Sequence, residues 1–398
     1  MTQFKLKKTT DLILGNFDFN ANPINIFNEK IIEFLDEVSK EIFKNRENHD
    51  YPDLISFGFW CRKKNLINIS EDYKKKDFLI GRGCVLHIVP SNVPMNFSYS
   101  LSFGLLSGNV NIVRLPSRKF IQINILCEIL KKILKKKKYS YIKKRICLMR
   151  YDKSEKISKE LSNIVDARLI WGGDETIAQF KKFPTSPRCI DLSFSNRYSI
   201  SIVDIKKISK CNHDELVNLA GKFYNDSYLM DQQGCSSPQA LFWIGKKNNF
   251  IQNKFWTILG SIVERKYKND LSVTNKKIFA LSDMAIMSNL QFKTKFKNFK
   301  LVKLSSKKNY KEIDKVQCHF GTFLEINVKN LDGIKNYVTK KYQTITYYGF
   351  DRKMIEKTIV RNGLKGIDRL VPFGRAFDMG PKWDGYDIIF SLSRIISN

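Results

Sequence analysis

The sequence predicts an α/β protein built on doubly wound sheets. Three observations lead there. Short runs rich in Val, Ile and Leu alternate with stretches of helical apolar spacing between residues 81 and 171, the alternation resumes near 198, and strand ends run into Pro, Asn or Gly-Gly. Strands separated by helices in this way pair in parallel through crossover connections, and ligands on such sheets bind at the carboxyl ends of the strands.

Taken in order, the first eighty residues read as a helical and irregular lead-in, with IIEFLDEVSKEIF (31–43) carrying apolar residues at helical spacing. GRGCVLHIVP (81–90) reads as a turn and a buried strand. A helix over 96–107, a strand NVNIVRLP (109–116), a long helix over 117–135, a strand RICLMR (145–150), a helix near 155–163 and a strand DARLIW (166–171) follow. The lysine run from 131 to 145 falls at a helix end and reads as a solvated surface. YSISIVDI begins the second alternation at 198, and a helix over 213–226 leads toward Cys235. QALFWIG (239–245), IFAL (278–281), LVKL (301–304) and FGTFLEINV (320–328) are strand candidates. A domain boundary is expected near residue 190, and the Gly- and Pro-rich tail is expected to end in a short apolar helix. No internal repeat stands out.

A chain of 398 residues suits two or three domains. With 43% hydrophobic residues it is globular rather than disordered. The formal charge of +30 invites a nucleic-acid reading, but the lysines are spread along the whole chain among Ile, Asn, Phe and Tyr, as AT-rich codons produce. No nucleic-acid partner is therefore expected, although an anionic substrate such as a nucleotide or coenzyme A would profit from the positive field. None of the eight cysteines forms a CxxC pair, so no metal site is expected. The first nineteen residues hold no long apolar h-region, and eighteen consecutive apolar residues occur nowhere, so a cytoplasmic protein with reduced thiols and no membrane span is expected.

Chemistry concentrates in four stretches. DQQGCSSPQ (231–239) sets Cys235 among small and hydrogen-bonding residues, which leaves space beside the sulfur. Both a nucleophile and an ordinary turn cysteine fit that composition. PSNVP (90–94) follows a strand, and its prolines aim the Asn92 amide either at an oxyanion or merely across a turn. GNVNIVRLPSRK (108–119) brings Arg114 at a strand end together with Ser117 near the expected start of a helix, a combination suited to phosphate or ribose. LIWGGDETI (169–177) places Gly172 and Gly173 where backbone can approach a cofactor closely. Of the four histidines, His87 lies within a buried strand, His49 and His213 sit in polar contexts, and His319 follows Cys318 without obvious pairing to Cys235.

Together these stretches resemble the aldehyde dehydrogenase superfamily, and within it the fatty acyl-CoA reductases of the LuxC type found in luminescence operons. PSNVP looks like the proline-bracketed oxyanion loop. GNVNIVRLPS is similar to the strand whose basic residue and serine hold the adenosine side of the cofactor, WGGDET resembles the glycine turn under the pyrophosphate and nicotinamide, and QQGCSSPQ is close to the nucleophile segment. The likeness runs over roughly residues 80 to 395, VPFGRAF and WDGYD included. It implies an aldehyde dehydrogenase-like pair of doubly wound domains: residues 1–190 for a nicotinamide cofactor, 191–365 for catalysis, and 366–398 packing back on the cofactor domain. It implies Cys235 as nucleophile and Asn92 as oxyanion donor, with cofactor contacts at Pro90, Ser91, Arg114, Ser117, Gly172, Gly173, Leu192 and Phe320.

Two departures stand out. Oxidising relatives carry an acidic general base in a Glu-Leu-Gly-Gly segment, whereas the matching stretch here is IDLSFSN, with the shorter Asp191 and no glycines. A glutamate that holds the nicotinamide ribose would fall at Cys318. The expected reaction is NADPH-dependent reduction of a fatty acyl thioester to the aldehyde through an acyl group on Cys235, with coenzyme A leaving. Arg114, Arg118 and Lys119 favour NADPH over NADH by offering cations to a 2′-phosphate. The resemblance further implies a homo-oligomer and an acyl-protein synthetase partner. The rival readings are a CoA-acylating dehydrogenase running oxidatively with NAD, a cysteine acyltransferase or thioesterase, and a basic nucleic-acid-binding protein on a relic fold.

Overall fold

The computed structural model describes residues 10–74, 78–152, 154–268, 271–288, 290–294, 300–306 and 311–397. The chain divides into two compact units, Met1–Ser195 with Met379–Asn398, and Asn196–Asp378.

The first unit opens with a strand that the sequence reading absorbs into an irregular lead-in. This strand, β1 (Asp11–Gly15), pairs antiparallel with a later strand, β5. Helix α1 (Glu29–Lys44) is capped by the Asn28 side chain, which accepts from the Lys30 N–H, and buries Ile31, Phe34, Leu35, Val38 and Ile42 along one face. Then come α2 (Pro52–Trp60), α3 (Lys63–Glu71), β2 (Phe78–Gly81), β3 (Cys84–Ile88), α4 (Asn96–Leu106), β4 (Val110–Arg114), α5 (Ile121–Leu134), α6 (Ser140–Lys143), β5 (Ile146–Arg150), α7 (Glu155–Ile164), β6 (Ala167–Trp171), α8 (Asp174–Lys181) and β7 (Ile190–Phe194). The six-stranded sheet runs β1-β5-β4-β3-β6-β7. From β3 the chain winds outward to β4 and β5, then returns to the other side of β3 for β6 and β7, so a switch point lies between β3 and β6. Strands β3 and β6 are buried at every residue because helices cover both faces.

One expected helix starts later than its sequence suggests. Helix α5 begins at Ile121 behind Phe120, which lends no side-chain cap, so Ser117 sits four residues outside it in a bend and does not cap it. Pro116 fixes its own φ but cannot pull the exposed Ser117-Arg118-Lys119 stretch into a helix.

The second unit contains β8 (Tyr198–Asp204), α9 (Ile205–Ile208), α10 (His213–Tyr228), β9 (Pro238–Ile244), α11 (Asn249–Lys266), α12 (Leu271–Ser288), β10 (Leu290–Thr294), β11 (Val302–Ser306), β12 (Thr322–Val328), β13 (Tyr342–Tyr348), α13 (Arg352–Arg361) and β14 (Arg369–Pro372). Its sheet runs β10-β11-β12-β9-β8-β13-β14, parallel except for the edge strand β10. On β9, Ala240, Phe242 and Ile244 join one core cluster while Leu241 and Trp243 join another, so both faces of the sheet are covered. IFAL at 278–281, expected as a strand, lies inside α12; four apolar residues fit a buried strand and a helix segment equally well.

Residues 366–378 belong to this second unit, where β14 extends the sheet beside β13. From Met379 the chain rejoins the first unit through β15 (Lys382–Trp383), β16 (Tyr386–Asp387), α14 (Ile388–Ser391) and β17 (Ser393–Ile396), the last pairing with β2. Trp383, Ile388, Ile389 and Leu392 enter the core of that unit. Among the described residues no helix is long and apolar enough to cross a membrane.

Candidate active site

In the first unit, parallel pairing of β4, β3, β6 and β7 puts their carboxyl ends on one edge, and the motif residues of this unit gather there. Pro90, Ser91 and Asn92 follow β3, Arg114 closes β4, Gly172 and Gly173 follow β6, and Leu192 lies in β7. Ser91 and Asn92 are exposed and Pro90 is half-buried. Among the described residues none hydrogen-bonds the Asn92 side chain across the turn. The PSNVP loop and the glycine pair flank the switch point, where such sheets open a crevice.

A chain of buried hydrogen bonds ties these strands together. The Asn111 Nδ2 donates to the carbonyls of Asn109 at 2.9 Å and Arg145 at 3.2 Å, which turns its Oδ1 toward His87 as an acceptor at 3.0 Å. His87 Nε2 therefore donates, and its Nδ1 accepts from Ser100 Oγ at 2.8 Å. Ser100 in turn accepts from Trp171 Nε1 at 3.0 Å. Burial pulls the His87 imidazole down to about 4, against the partial support of the Asn111 bond, so it is neutral near pH 7. Trp171, the last residue of β6, stacks on Phe194, the last of β7, with centroids 3.7 Å apart.

The charges on this edge are uneven. Arg114 holds its guanidinium over the Tyr151 ring at 4.7 Å, and Arg118 and Lys119 are exposed just beyond. At the start of α8, by contrast, Asp174 and Glu175 already answer the helix dipole and repel a second anion. Phosphates are thus favoured at the end of β4, while Gly172 and Gly173 offer close backbone approach without a charge. Leu192 has its side chain in the core and can present only its backbone. Asp191 pairs with Arg168 through Nε at 2.7 Å and Nη2 at 2.6 Å.

In the second unit, Cys235 lies between α10 and β9. A capping box of Asn212 and Glu215, with both bonds at 2.9 Å, fixes the start of α10, and the chain leaves its far end through left-handed conformations at Asp231 and Gln232. Gln232 is fully buried and saturates its side chain. Its Oε1 accepts from the N–H groups of Gly321 and Thr322 at 3.1 Å each, and its Nε2 donates to the carbonyls of Pro238 at 2.9 Å and Thr322 at 2.7 Å. The Phe320 N–H donates to the Asp231 carbonyl at 3.0 Å and the Phe320 carbonyl accepts from Lys277 Nζ at 2.7 Å. The structure thus brings the Cys235 turn and the Phe320 turn together. The Cys235 carbonyl accepts from Ser199 Oγ at 2.6 Å.

All eight cysteines are described, and Cys235 alone is exposed. Burial pushes the thiols of Cys127, Cys147 and Cys318 up to about 11, 12 and 12, which keeps them protonated and inert. Burial also lowers His319, whose ring rests 3.5 Å from the Gln232 carbonyl.

Two charged residues of this unit escape sequence reasoning. Asp226 is 1% exposed on the same helical face as Leu219, Ala220 and Phe223, and an acid on an apolar face is the signal that could have found it. Arg369 opens β14 and has no such local signal.

Comparison with known proteins adds the following. The model of a family described as "Acyl-CoA reductase (LuxC)" matches residues 69–397. The chain is 23% identical over 324 residues to a long-chain acyl-protein thioester reductase of Aliivibrio fischeri, covering 80% of this chain and 64% of that one. It is 24% identical over 331 residues to the like-named protein of Photorhabdus luminescens, with the same coverage. The chain therefore spans 64% of the length of these relatives. Among solved structures it resembles aldehyde dehydrogenase 21 of Physcomitrella patens at TM-score 0.63 and 12% identity, covering 97% of this chain and 96% of that one. It likewise resembles an NAD-dependent benzaldehyde dehydrogenase of Corynebacterium glutamicum at TM-score 0.62 and 10% identity, covering 92% and 84%. These likenesses establish an aldehyde dehydrogenase-like α/β fold.

Proposed function

The chain belongs to the acyl-CoA reductase (LuxC) family, and from that premise we propose that it reduces a long-chain acyl thioester to the aldehyde, with NADPH as reductant and Cys235 as nucleophile. The observation that carries the reading is Cys235 itself, the exposed thiol on a turn whose backbone is pinned by a buried glutamine.

The thiolate attacks the thioester carbonyl, and the electron pair moves onto oxygen. Asn92 and the backbone N–H of Cys235 are the proposed donors to that oxyanion, each such donor being worth about 10²- to 10³-fold in rate. The carbonyl re-forms as coenzyme A, or the thiol of a carrier protein, departs as thiolate, and the acyl chain stays on Cys235. A bound nicotinamide dinucleotide supplies the hydride that this acyl thioester then accepts. The resulting hemithioacetal collapses, taking a proton on the way, to free aldehyde and the Cys235 thiol. Arg114, Arg118 and Lys119 are the groups proposed to hold the cofactor phosphates, with Pro90, Ser91, Ser117, Gly172, Gly173, the Leu192 backbone and Phe320 lining the rest of its site.

An oxidative CoA-acylating reaction uses the same thiol. No step of the reductive reaction calls for an acid to activate water, and the Asp191 carboxylate is already paired with Arg168. The test is direct. The protein is incubated with acyl-CoAs of graded chain length, the adduct is located by mass spectrometry, and NADPH is then added. The expected result is an acyl group on Cys235 that NADPH converts to aldehyde, absent in Cys235→Ser. Aldehyde formation at the parental rate by that variant would overturn the reading. A homo-oligomer and an acyl-protein synthetase partner remain part of the proposal, tested by sedimentation and by co-purification with such an enzyme.

A further inference from the structure

Asp226 and Arg369 have no part in the reaction proposed above, yet they converge on one loop. The loop, residues 373–378, follows β14. Arg369 reaches forward into it and donates to the carbonyls of Ala376 at 2.6 Å, Arg375 at 3.0 Å and Asp378 at 2.7 Å. Asp226 reaches in from α10 and accepts from the N–H groups of Gly374 at 2.7 Å and Ala376 at 2.8 Å. A cation on the carbonyls and the Asp226 carboxyl on the amides hold the loop in one conformation. The loop in turn bears on the nucleophile turn. The Phe377 ring lies so close to Gly234, the neighbour of Cys235, that a Cβ at 234 would come within 2.7 Å of its Cε1. Any side chain at 234 would have to push the Phe377 ring aside.

The titratable and charged groups around the Arg369 guanidinium are the Asp378 carboxylate, the Cys235 sulfur, the Asp226 carboxyl, which burial pushes up to about 7 so that it titrates within the neutral range, and, opposing it, the Arg375 cation. Burial pulls Arg369 down to about 10, with the acidic groups partly restoring it, so it is charged throughout the neutral range. Two other basic groups near the Cys235 turn, Lys277 and His319, are engaged elsewhere. Lys277 donates to the Phe320 carbonyl and burial lowers it to about 7, and burial keeps His319 in its neutral form.

We infer that Arg369 is a positioning residue for the nucleophile: it clamps the 373–378 loop against the turn that carries Cys235 and fixes there a positive charge that favours thiolate over thiol. This rests on the reading of Cys235 as the acyl acceptor. Asp226 completes the clamp from the opposite side.

Alkylation of Cys235 by iodoacetamide, followed by mass spectrometry of its peptide across pH in the full chain, tests the inference. Arg369→Gln is expected to move the midpoint of the alkylation profile up by about one pH unit, cutting the rate at pH 7 about tenfold, because an adjacent cation shifts an acid by one unit or more. Arg369→Lys, which keeps the charge, is expected to stay within about threefold of the parent. A folded Arg369→Gln variant with the parental profile would overturn the inference. Should Arg369→Gln not fold, Gly234→Ala replaces it: its Cβ displaces the Phe377 ring through which the loop bears on the turn, the same upward shift is expected, and an unchanged profile with thermal unfolding intact overturns the inference equally. Acylation of the parent by acyl-CoA at a residue other than Cys235 would defeat the nucleophile reading instead, and the same spectra distinguish the two failures.

Discussion

Asp191 lies in register with Arg168 across β6 and β7 and takes two hydrogen bonds from its guanidinium, at 2.7 and 2.6 Å. The remaining arm of Arg168 donates to the Phe180 carbonyl at 2.8 Å, and the side chain is 3% exposed. The Asp191 carboxylate therefore serves to neutralise a buried cation.

It follows that Asp191→Asn should cost stability rather than chemistry. Leaving Arg168 buried without its anion is expected to cost about 3 kcal/mol, read as a lower denaturant midpoint. Aldehyde formation per folded molecule should stay within about threefold of the parent. A loss of 10²-fold or more in rate with the fold intact would instead assign Asp191 to proton transfer.

The His87 relay makes a prediction about acid. The folded value of about 4 lies below the ordinary 6.5, so the unfolded chain binds the extra proton between those limits. This contribution to stability is complete above pH 6.5 and is lost as the pH falls toward 4, amounting to roughly 3 kcal/mol for a shift of this size. Denaturant titrations of parent and His87→Gln at pH 7, 5.5 and 4 should show the parent losing more stability than the variant over that interval. Parallel losses would show that the imidazole is not held neutral. Loosening of the relay would reach both switch-point loops, since it runs from β3 to the end of β6.

Much of this architecture can be read from the sequence because local signals agree with it. Strand β3 and its proline loop, β6 with its glycine pair, and the helix leading to Cys235 all declare themselves by apolar runs and turn residues. What escapes depends on distant partners. Strand β1 is a five-residue edge strand whose pairing with β5 lies more than a hundred residues away. Ser117 reads as a helix cap because proline and serine usually mark one, yet the helix waits for the apolar face that begins at Ile121. IFAL fits either element until α12 supplies its context. The candidate site divides in the same way. Cys235, Asn92 and the glycines lie in motifs, whereas Gln232, Asp226 and Arg369 act through bonds to segments far along the chain, which no local spacing encodes.

Charge at the end of β4 should decide the reductant. Arg114, with its guanidinium over Tyr151 and with Arg118 and Lys119 beyond, is expected to meet a 2′-phosphate. Arg114→Glu should raise the apparent KM for NADPH about tenfold while moving that for NADH by about twofold, since a charge-assisted bond is worth roughly 1.5–3 kcal/mol. Equal changes for the two cofactors in steady-state assays would remove the preference.

Gln232 joins the Cys235 turn to the Phe320 turn, and its replacement should unsettle both. With φ at 59° it already occupies a left-handed conformation, which persists because four side-chain bonds hold it. Gln232→Glu keeps the shape and the acceptor toward Gly321 and Thr322, but it turns the donor toward the Pro238 and Thr322 carbonyls into a second acceptor. Three oxygens then face one another in a fully buried space. The expected loss is about 3 kcal/mol or more, because a buried group without its partner forfeits its full desolvation energy. Thermal unfolding measures that loss, and alkylation of Cys235 below the transition reports whether the turn keeps its geometry. Gln232→Met, which forgoes both sets of bonds without adding an acceptor, should fall between the parent and Gln232→Glu. A Gln232→Glu variant as stable as the parent would mean that the bonds to the 321–322 backbone, rather than the donor pair, carry the junction.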